Sequence, residues 1–305
     1  MPPPSMATEF VPQLDGPALM LRRWRAETVA RPKATVFLGH SQPTHSGLLG
    51  DLGRAFSAAG CDAFAGDIRG HGQSVDQAHP PGHLPRAGGW KRATADMRLL
   101  LEKAFAGVPW ERRVVVVPNI TALLTLEVMK DWPDLARHIV LISPVPNQRA
   151  IALFGKAFSE ARVRMRPADE PDEQSLHHLY AFLGAHLKER THPADVLSSD
   201  KSVIERVVSD PGGWPVPTPA YWLNIFTGML SAWTWPKNSP VTKGARWLVR
   251  LGGGEAMLRD GGFLPPIKRF LGSVGFAEVA SARVDGGRSA LFLEEERLQI
   301  SGRIL

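Results

Sequence analysis

From residue 34 onward, strand-length apolar runs alternate with stretches whose apolar residues recur every three to four positions. That alternation predicts a mostly parallel sheet covered by helices on both faces. ATVFLGH (34–40) reads as a buried strand, and HSGLLGDLGRAFSAAG (45–60) as an amphipathic helix stopped by a glycine. DAFAGDIRG (62–70) predicts the next strand. WKRATADMRLLLEKAFAG (90–107) predicts a helix that places Met97, Leu100, Leu101 and Ala104 on one face. RVVVVPNI (113–120), TALLTLEVMKDW (121–132) and HIVLISPVP (138–146) repeat strand, helix and strand.

The regularity fails between about 147 and 240, where proline-rich breaks, the charged stretch RPADEPDEQ (166–174) and the tryptophan-rich PVPTPAYWLNIFTGMLSAWTW (215–235) follow one another. A mostly helical insertion fits this segment. The expected organisation is therefore a core made of residues 1–146 and 241–305, with residues 147–240 as a helical cap. Sheet patterning resumes at ARWLVRLGGGE (245–255), followed by a helix near 263–273, the strand AEVASARVD (277–285) and a last helix LFLEEERLQ (291–299).

Bulk properties change this picture little. With 305 residues, 44% of them hydrophobic and 22% charged, the chain can bury an ample core. Its apolar runs are far shorter than the roughly 18–20 residues of a membrane span, and MPPPSMATEF has no basic region leading into an apolar stretch. A cytoplasmic location is the expectation. Cys61 is the single cysteine, which excludes internal disulfides and cysteine-built metal sites. The formal charge of +6 is spread over short clusters such as RRWR (22–25), so a solvated surface is expected rather than a nucleic-acid partner.

Three segments carry a family resemblance. GHSQPTHSG (39–47) resembles an oxyanion segment with His-Gly followed by His-Ser-Gly. DIRGHGQS (67–74) is similar to an Asp-x-Arg-Gly-His-Gly-x-Ser loop, and DVLSSDKSVIERVVSDPGGWPVPTPAYW (195–222) to a cap with Leu-Ser and Asp-Pro landmarks. Together they resemble the α/β-hydrolase superfamily, in its monoglyceride lipase, lysophospholipase and serine aminopeptidase branch. The resemblance implies an α/β fold with a mostly parallel eight-stranded sheet, flanking helices and an inserted helical cap.

It also implies a nucleophile in a Gly-x-Ser-x-Gly elbow, where the strand turns sharply into a helix. Laid on that elbow, the chain reads Pro118, Asn119, Ile120, Thr121 and Ala122, so Ile120 takes the nucleophile position. Isoleucine cannot attack a carbonyl. It is also ill suited to positive φ, which predicts a relaxed turn. The resemblance places the acid at Glu255 and the histidine at Ser289, within DGGRSALFLEE (285–295). The last histidine of the chain is His192, so no choice of register supplies a C-terminal imidazole. The expected loss is the conventional acyl transfer.

Candidate ligand contacts are His40, Ser41, Asn119 and Thr121. His40 and Ser41 could polarise a carbonyl, or His40 and His45 could simply bond backbone; Asn119 could meet a ligand, cap the next helix or serve the turn. Asp67, Arg69 and His71 read as loop-fixing residues. His177, His178, His186 and His192 lack metal-ligand spacing, and no metal or cofactor is expected. Two functions remain open: a non-hydrolytic pseudoenzyme that binds a hydrophobic, lipid-like ligand or a protein partner, and an enzyme with a rearranged site using His40, Asn119 or Thr121.

Overall fold

The computed structural model describes residues 6–27, 31–185, 187, 190–236, 244–254, 264–276 and 279–294. Four consecutive valines with no polar alternation predict a strand buried on both faces, and β5 (Arg113–Pro118) lies in the middle of the sheet. β3 (Thr35–Leu38) flanks it on one side and β6 (His138–Ile142) on the other, both parallel. The sheet continues through β4 (Asp62–Gly66) next to β3, and through β7 (Arg246–Gly252) and β8 (Val279–Val284) beyond β6. All of these pairs are parallel.

β1 (Met6–Val11) and β2 (Leu19–Trp24) complete the order β1-β2-β4-β3-β5-β6-β7-β8 as antiparallel strands. The hydrophobic pattern does not announce this pair. Five of the six β1 residues are exposed, and β2 carries Arg22 and Arg23 among its apolar residues.

Helices cover both faces. α1 (Gly50–Ala58) follows a 3-10 turn at Ser46–Leu49, so the predicted helix 45–60 begins as a tighter turn. α2 (Gly89–Ala104) buries Trp90, Ala93, Met97, Leu100, Leu101 and Ala104 on one stripe. α3 (Asn119–Met129) has nearly every residue buried because it runs beneath further helices. Between β6 and β7 come α4 (Arg149–Met165), α5 (Glu173–Leu183), α6 (Lys201–Ser209) and α7 (Pro219–Ala232), where the pattern lost its sheet rhythm. α8 (Leu264–Ser273) precedes β8. The last predicted helix is present as a 3-10 turn, Leu291–Leu293, with residues 295–299 outside the described residues.

α7 lies against α4, α3 and α2. Its Tyr221 is fully buried and Trp222 nearly so. Trp233, Trp235 and Trp247 form edge and tilted ring contacts with Phe270 and Phe276, tying the end of α7 to α8 and β7. Buried aromatic pairs of this kind add about 0.5–1.5 kcal/mol each beyond area burial. The tryptophan-rich segment is thus core.

Candidate active site

The junction between β5 and α3 departs from the sequence expectation by one residue. Asn119, not Ile120, carries the positive φ, at 38°. Asparagine visits the left-handed region at modest cost, whereas a β-branched side chain there collides with its own backbone. The turn is therefore kept rather than relaxed. Ile120 follows inside the helix, 4% exposed, as a core residue. In this frame the junction reads Val117, Pro118, Asn119, Ile120 and Thr121.

Asn119 does not cap α3 with its side chain. Its Nδ2 donates to the carbonyl oxygen of Ser143 at 2.7 Å. Ser143, the residue after β6, is itself left-handed with φ 42°, and its amide donates to the Arg250 carbonyl of β7 at 2.8 Å. Two non-glycine residues in costly conformations thus support one another across the carboxyl ends of neighbouring strands. Nothing in the sequence singled out Ser143, apart from its place at the break before Pro144.

Thr121 lies one turn further on. Its hydroxyl is 2.9 Å from the His40 carbonyl and 2.8 Å from the Pro118 carbonyl. A Cβ on Gly39 would fall 2.5 Å from that same oxygen, so this strand end can approach the helix only as glycine. Each neighbour of Thr121 Oγ1 is a backbone acceptor.

The segment 39–47 is equally occupied. His40 is buried, with Nδ1 2.9 Å from the Ser41 carbonyl and Nε2 accepting from the Ile68 amide at 3.3 Å. Those partners assign the neutral tautomer with the proton on Nδ1. Burial lowers the pKa of His40 below its ordinary value, against the opposing charge of Asp67. The amide of Ser41 donates to Thr44 Oγ1 at 3.0 Å, and the two hydroxyls stand 3.0 Å apart. Gln42 links this segment to the helices above: Tyr180 donates its hydroxyl proton to Gln42 Oε1 at 2.8 Å, and Gln42 Nε2 donates to the Pro215 carbonyl at 3.2 Å. His45 accepts from the Gly47 amide through Nδ1 at 3.1 Å and meets Asp210 Oδ1 through Nε2 at 2.9 Å. The Asp-Pro landmark of the 195–222 segment therefore supplies the partner of His45.

Asp67, Arg69 and His71 fix their loop. Arg69 binds Asp96 of α2 through two contacts of 2.6 and 2.7 Å, both side chains buried. Asp67 accepts from the Ser46 amide at 2.6 Å and the Gln73 amide at 3.0 Å and pairs with Arg22 at 3.4 Å. Burial opposes its ionisation, but surrounding positive charge and amide donors outweigh it and hold the carboxyl below its usual range. The His71 ring lies 4.8 Å from that of His40 and 5.7 Å from that of Tyr221. Burial first, and His40 second, pull the His71 pKa down to about 3, so the ring is neutral at physiological pH.

The remaining candidates lie apart from the junction. Ser289 is buried, and its hydroxyl donates to the Val196 carbonyl at 2.9 Å. Glu255 and His186 fall outside the described residues. His192 caps the 3-10 turn Pro193–Val196 with Asp195 as its reciprocal partner. Among the described residues no group of three or more potential ligands could hold a metal ion. Two recesses open on the β6–β7 connection: one of about 460 Å³ lined by residues including His177, Leu187, Arg190 and His192, and one of about 350 Å³ bounded by Arg86, Glu160, Arg164 and Leu223. None of the residues lining either belongs to the β5–α3 junction or to the 39–47 segment.

A family model described as serine aminopeptidase, S33, matches residues 30–242. The chain belongs to this family. A monoglyceride lipase homolog of Monkeypox virus is 26% identical over 146 residues, which are 48% of this chain and 50% of that relative. The chain thus spans about half the length of this curated relative. Among solved structures, a highly thermostable carboxyl esterase from Bacillus coagulans in complex with glycerol superposes with a TM-score of 0.81 at 15% identity, over 98% of this chain and 96% of the esterase. A soluble variant of monoglyceride lipase from Saccharomyces cerevisiae in complex with a substrate analog gives 0.67 at 12% identity, over 99% of this chain and 94% of that one. The fold is that of an α/β-hydrolase.

Proposed function

We propose that this S33-family chain is a non-hydrolytic member, a pseudoenzyme in which Asn119 occupies the place of the attacking residue. The observation that carries the proposal is the left-handed elbow with a carboxamide at its apex, turned onto the Ser143 carbonyl. A carboxamide nitrogen has no lone pair available for attack on an ester, and a hydroxyl would need a base beside it. The histidine position falls on Ser289, whose hydroxyl is turned to the Val196 backbone.

The alternative, a rearranged enzyme built on His40, Asn119 or Thr121, finds no support in the local hydrogen bonds. Both nitrogens of His40 are engaged with backbone, and the Thr121 hydroxyl faces two carbonyls. An activated hydroxyl requires a base, whether imidazole, amine or carboxylate, within hydrogen-bond reach, and the partners of Thr121 Oγ1 are backbone carbonyls. In this reading residues 147–240 form a cap that closes over the elbow, with Gln42, Tyr180 and Pro215 as the seam. The role that remains is binding, either of an amphiphilic ligand in a recess of the β6–β7 connection or of a protein partner.

Hydrolysis of p-nitrophenyl acetate and of a monoacylglycerol tests the proposal. Wild-type protein should turn over neither substrate faster than an Asn119→Gly variant. A rate that is tenfold higher in the wild type, and lost in the variant, would overturn it.

A further inference from the structure

The amino ends of the parallel strands carry an ordered set of cations. Sheet register places Thr35 beside both Asp62 and Arg113, Val114 beside His138, and His138 beside Arg246. On the other flank Trp24, the last residue of antiparallel β2, faces Ala63 near the start of β4. Near one level of the sheet the order in space is therefore Arg25, Asp62, Lys33, Arg112 with Arg113, Arg137 with His138, and Arg246. With neighbouring strands about 4.8 Å apart, the row from β2 to β7 is about 24 Å long. Arg25, Lys33 and Arg246 are exposed, and Arg112, Arg113 and Arg137 half-buried.

Asp62, the acid of this row, is already occupied: Arg23 bonds one carboxylate oxygen and the Ala26 amide the other. Among the described residues, Arg25, Lys33, Arg112, Arg113 and Arg137 have no acidic partner. Arg112 and Arg113 donate to the carbonyls of Pro32 and Val108 at 3.2 and 2.8 Å. Arg137 lies over the ring of Trp110 at 5.9 Å, and Arg113 and Arg98 each stand 5.8 Å from the ring of Trp132. His138 registers the charge around it: burial first, then Arg137 and Arg246, lower its pKa below the ordinary value. Complementing the helix dipoles does not account for the set, because Lys103 and Lys130 already stand at the carboxyl ends of α2 and α3.

Like charges gathered this closely repel one another until a counter-charge is supplied. Half-buried tryptophans set among guanidiniums have the composition of a protein-recognition surface. The acids nearby decide what kind of polyanion fits. Glu27, Glu111, Asp131 and Asp134 flank Arg25, Arg112 and Trp132 along the chain. A continuous run of phosphates would meet these carboxylates, whereas a protein segment can set its own acids on the row and other groups at its border. We propose that the amino-end rim of the sheet binds an acidic segment of a partner protein, whose carboxylates meet Arg25, Lys33, Arg112, Arg113 and Arg137, with Trp110 and Trp132 as its apolar contacts. The elbow stands at the opposite strand ends, after β5, so the inference holds whether or not that site cleaves an ester.

Fluorescence anisotropy of fluorescein-labelled hexaglutamate, titrated with the full chain, tests it. Wild-type protein should bind the peptide at low salt and release it as salt rises. Arg25→Gln with Lys33→Gln should weaken binding by about three- to tenfold without changing the melting temperature, because both side chains are exposed. Arg112→Gln with Arg137→Gln should weaken it by a similar factor. Arg86→Gln with Arg164→Gln removes the same charge from the smaller recess and should leave binding unchanged. Absence of binding, unchanged binding by both rim variants, or equal weakening by the recess variant would overturn the proposal. Tighter binding of a thymidine oligonucleotide of equal charge would also overturn it, in favour of nucleic acid. So would a wild-type dimer, seen by light scattering, that the Arg25 and Lys33 variant dissociates, since a second copy would then fill the rim.

Discussion

Glycine and alanine substitutions at positions 119 and 120 separate the two registers of the elbow. At Asn119 the φ of 38° penalises any residue with a Cβ except the few that tolerate the left-handed region. Asn119→Ala removes the hydrogen bond to the Ser143 carbonyl, about 1 kcal/mol, and adds about 1 kcal/mol of backbone strain. Asn119→Gly loses the same hydrogen bond without the strain. Glycine should therefore be better than alanine at 119 by about 1 kcal/mol. At Ile120, already inside the helix and 4% exposed, truncation to alanine should cost about 2–4 kcal/mol, and glycine about 1 kcal/mol more through helix propensity. The glycine-minus-alanine difference thus changes sign between neighbouring residues. Urea unfolding of the four variants, followed by tryptophan fluorescence, reads it directly. If glycine is worse than alanine at both positions, Asn119 is not the left-handed residue and the elbow assignment fails.

Three further outcomes are expected. Because the His71 pKa is about 3 in the fold against an ordinary 6.5, the unfolded chain takes up that proton first as pH falls; His71 should cost nothing above about pH 6.5 and about 1.4 kcal/mol per pH unit between there and pH 3, a slope that thermal melts across this window should show reduced in His71→Gln. Breaking the buried Arg69–Asp96 pair with Asp96→Asn should destabilise by about 3–5 kcal/mol, measured by urea midpoint, while Arg69→Met with Asp96→Leu should recover much of the loss; equal losses would mean the ion pair itself is not the cause. Tyr180→Phe leaves Gln42 Oε1 without its donor and should cost about 1–2 kcal/mol while raising acrylamide quenching of the neighbouring Trp214, whose ring lies 4.8 Å from Tyr180; unchanged quenching would argue against a seam at this place.

Much of the fold was legible because burial writes itself into the pattern. The valines of 114–117 and the apolar stripe of α2 announce their elements, since each has a single environment along its length. β1 and β2 were not legible, because an exposed edge strand has no apolar face to display and its partner mixes arginines with core residues. The elbow was legible as a turn and misread by one residue: alignment to a glycine-serine motif ignores where a β-branched side chain can sit, and conformational cost moves the apex onto Asn119. The partners of the candidate residues were hidden for another reason. Asp210 for His45, Tyr180 for Gln42 and Val196 for Ser289 lie 165, 138 and 93 residues away, and local patterning carries no such information.

The claim on which the functional reading turns is that no hydroxyl on this scaffold is activated for attack. A fluorophosphonate probe, which phosphonylates activated serines whatever their position, addresses it without assuming a substrate. Incubated with an excess of probe and followed by intact-mass analysis, the purified chain should keep its unmodified mass, as it should after heat denaturation. A stoichiometric adduct on the folded protein that is absent after denaturation, mapped by peptide sequencing to a single serine or threonine, would contradict it.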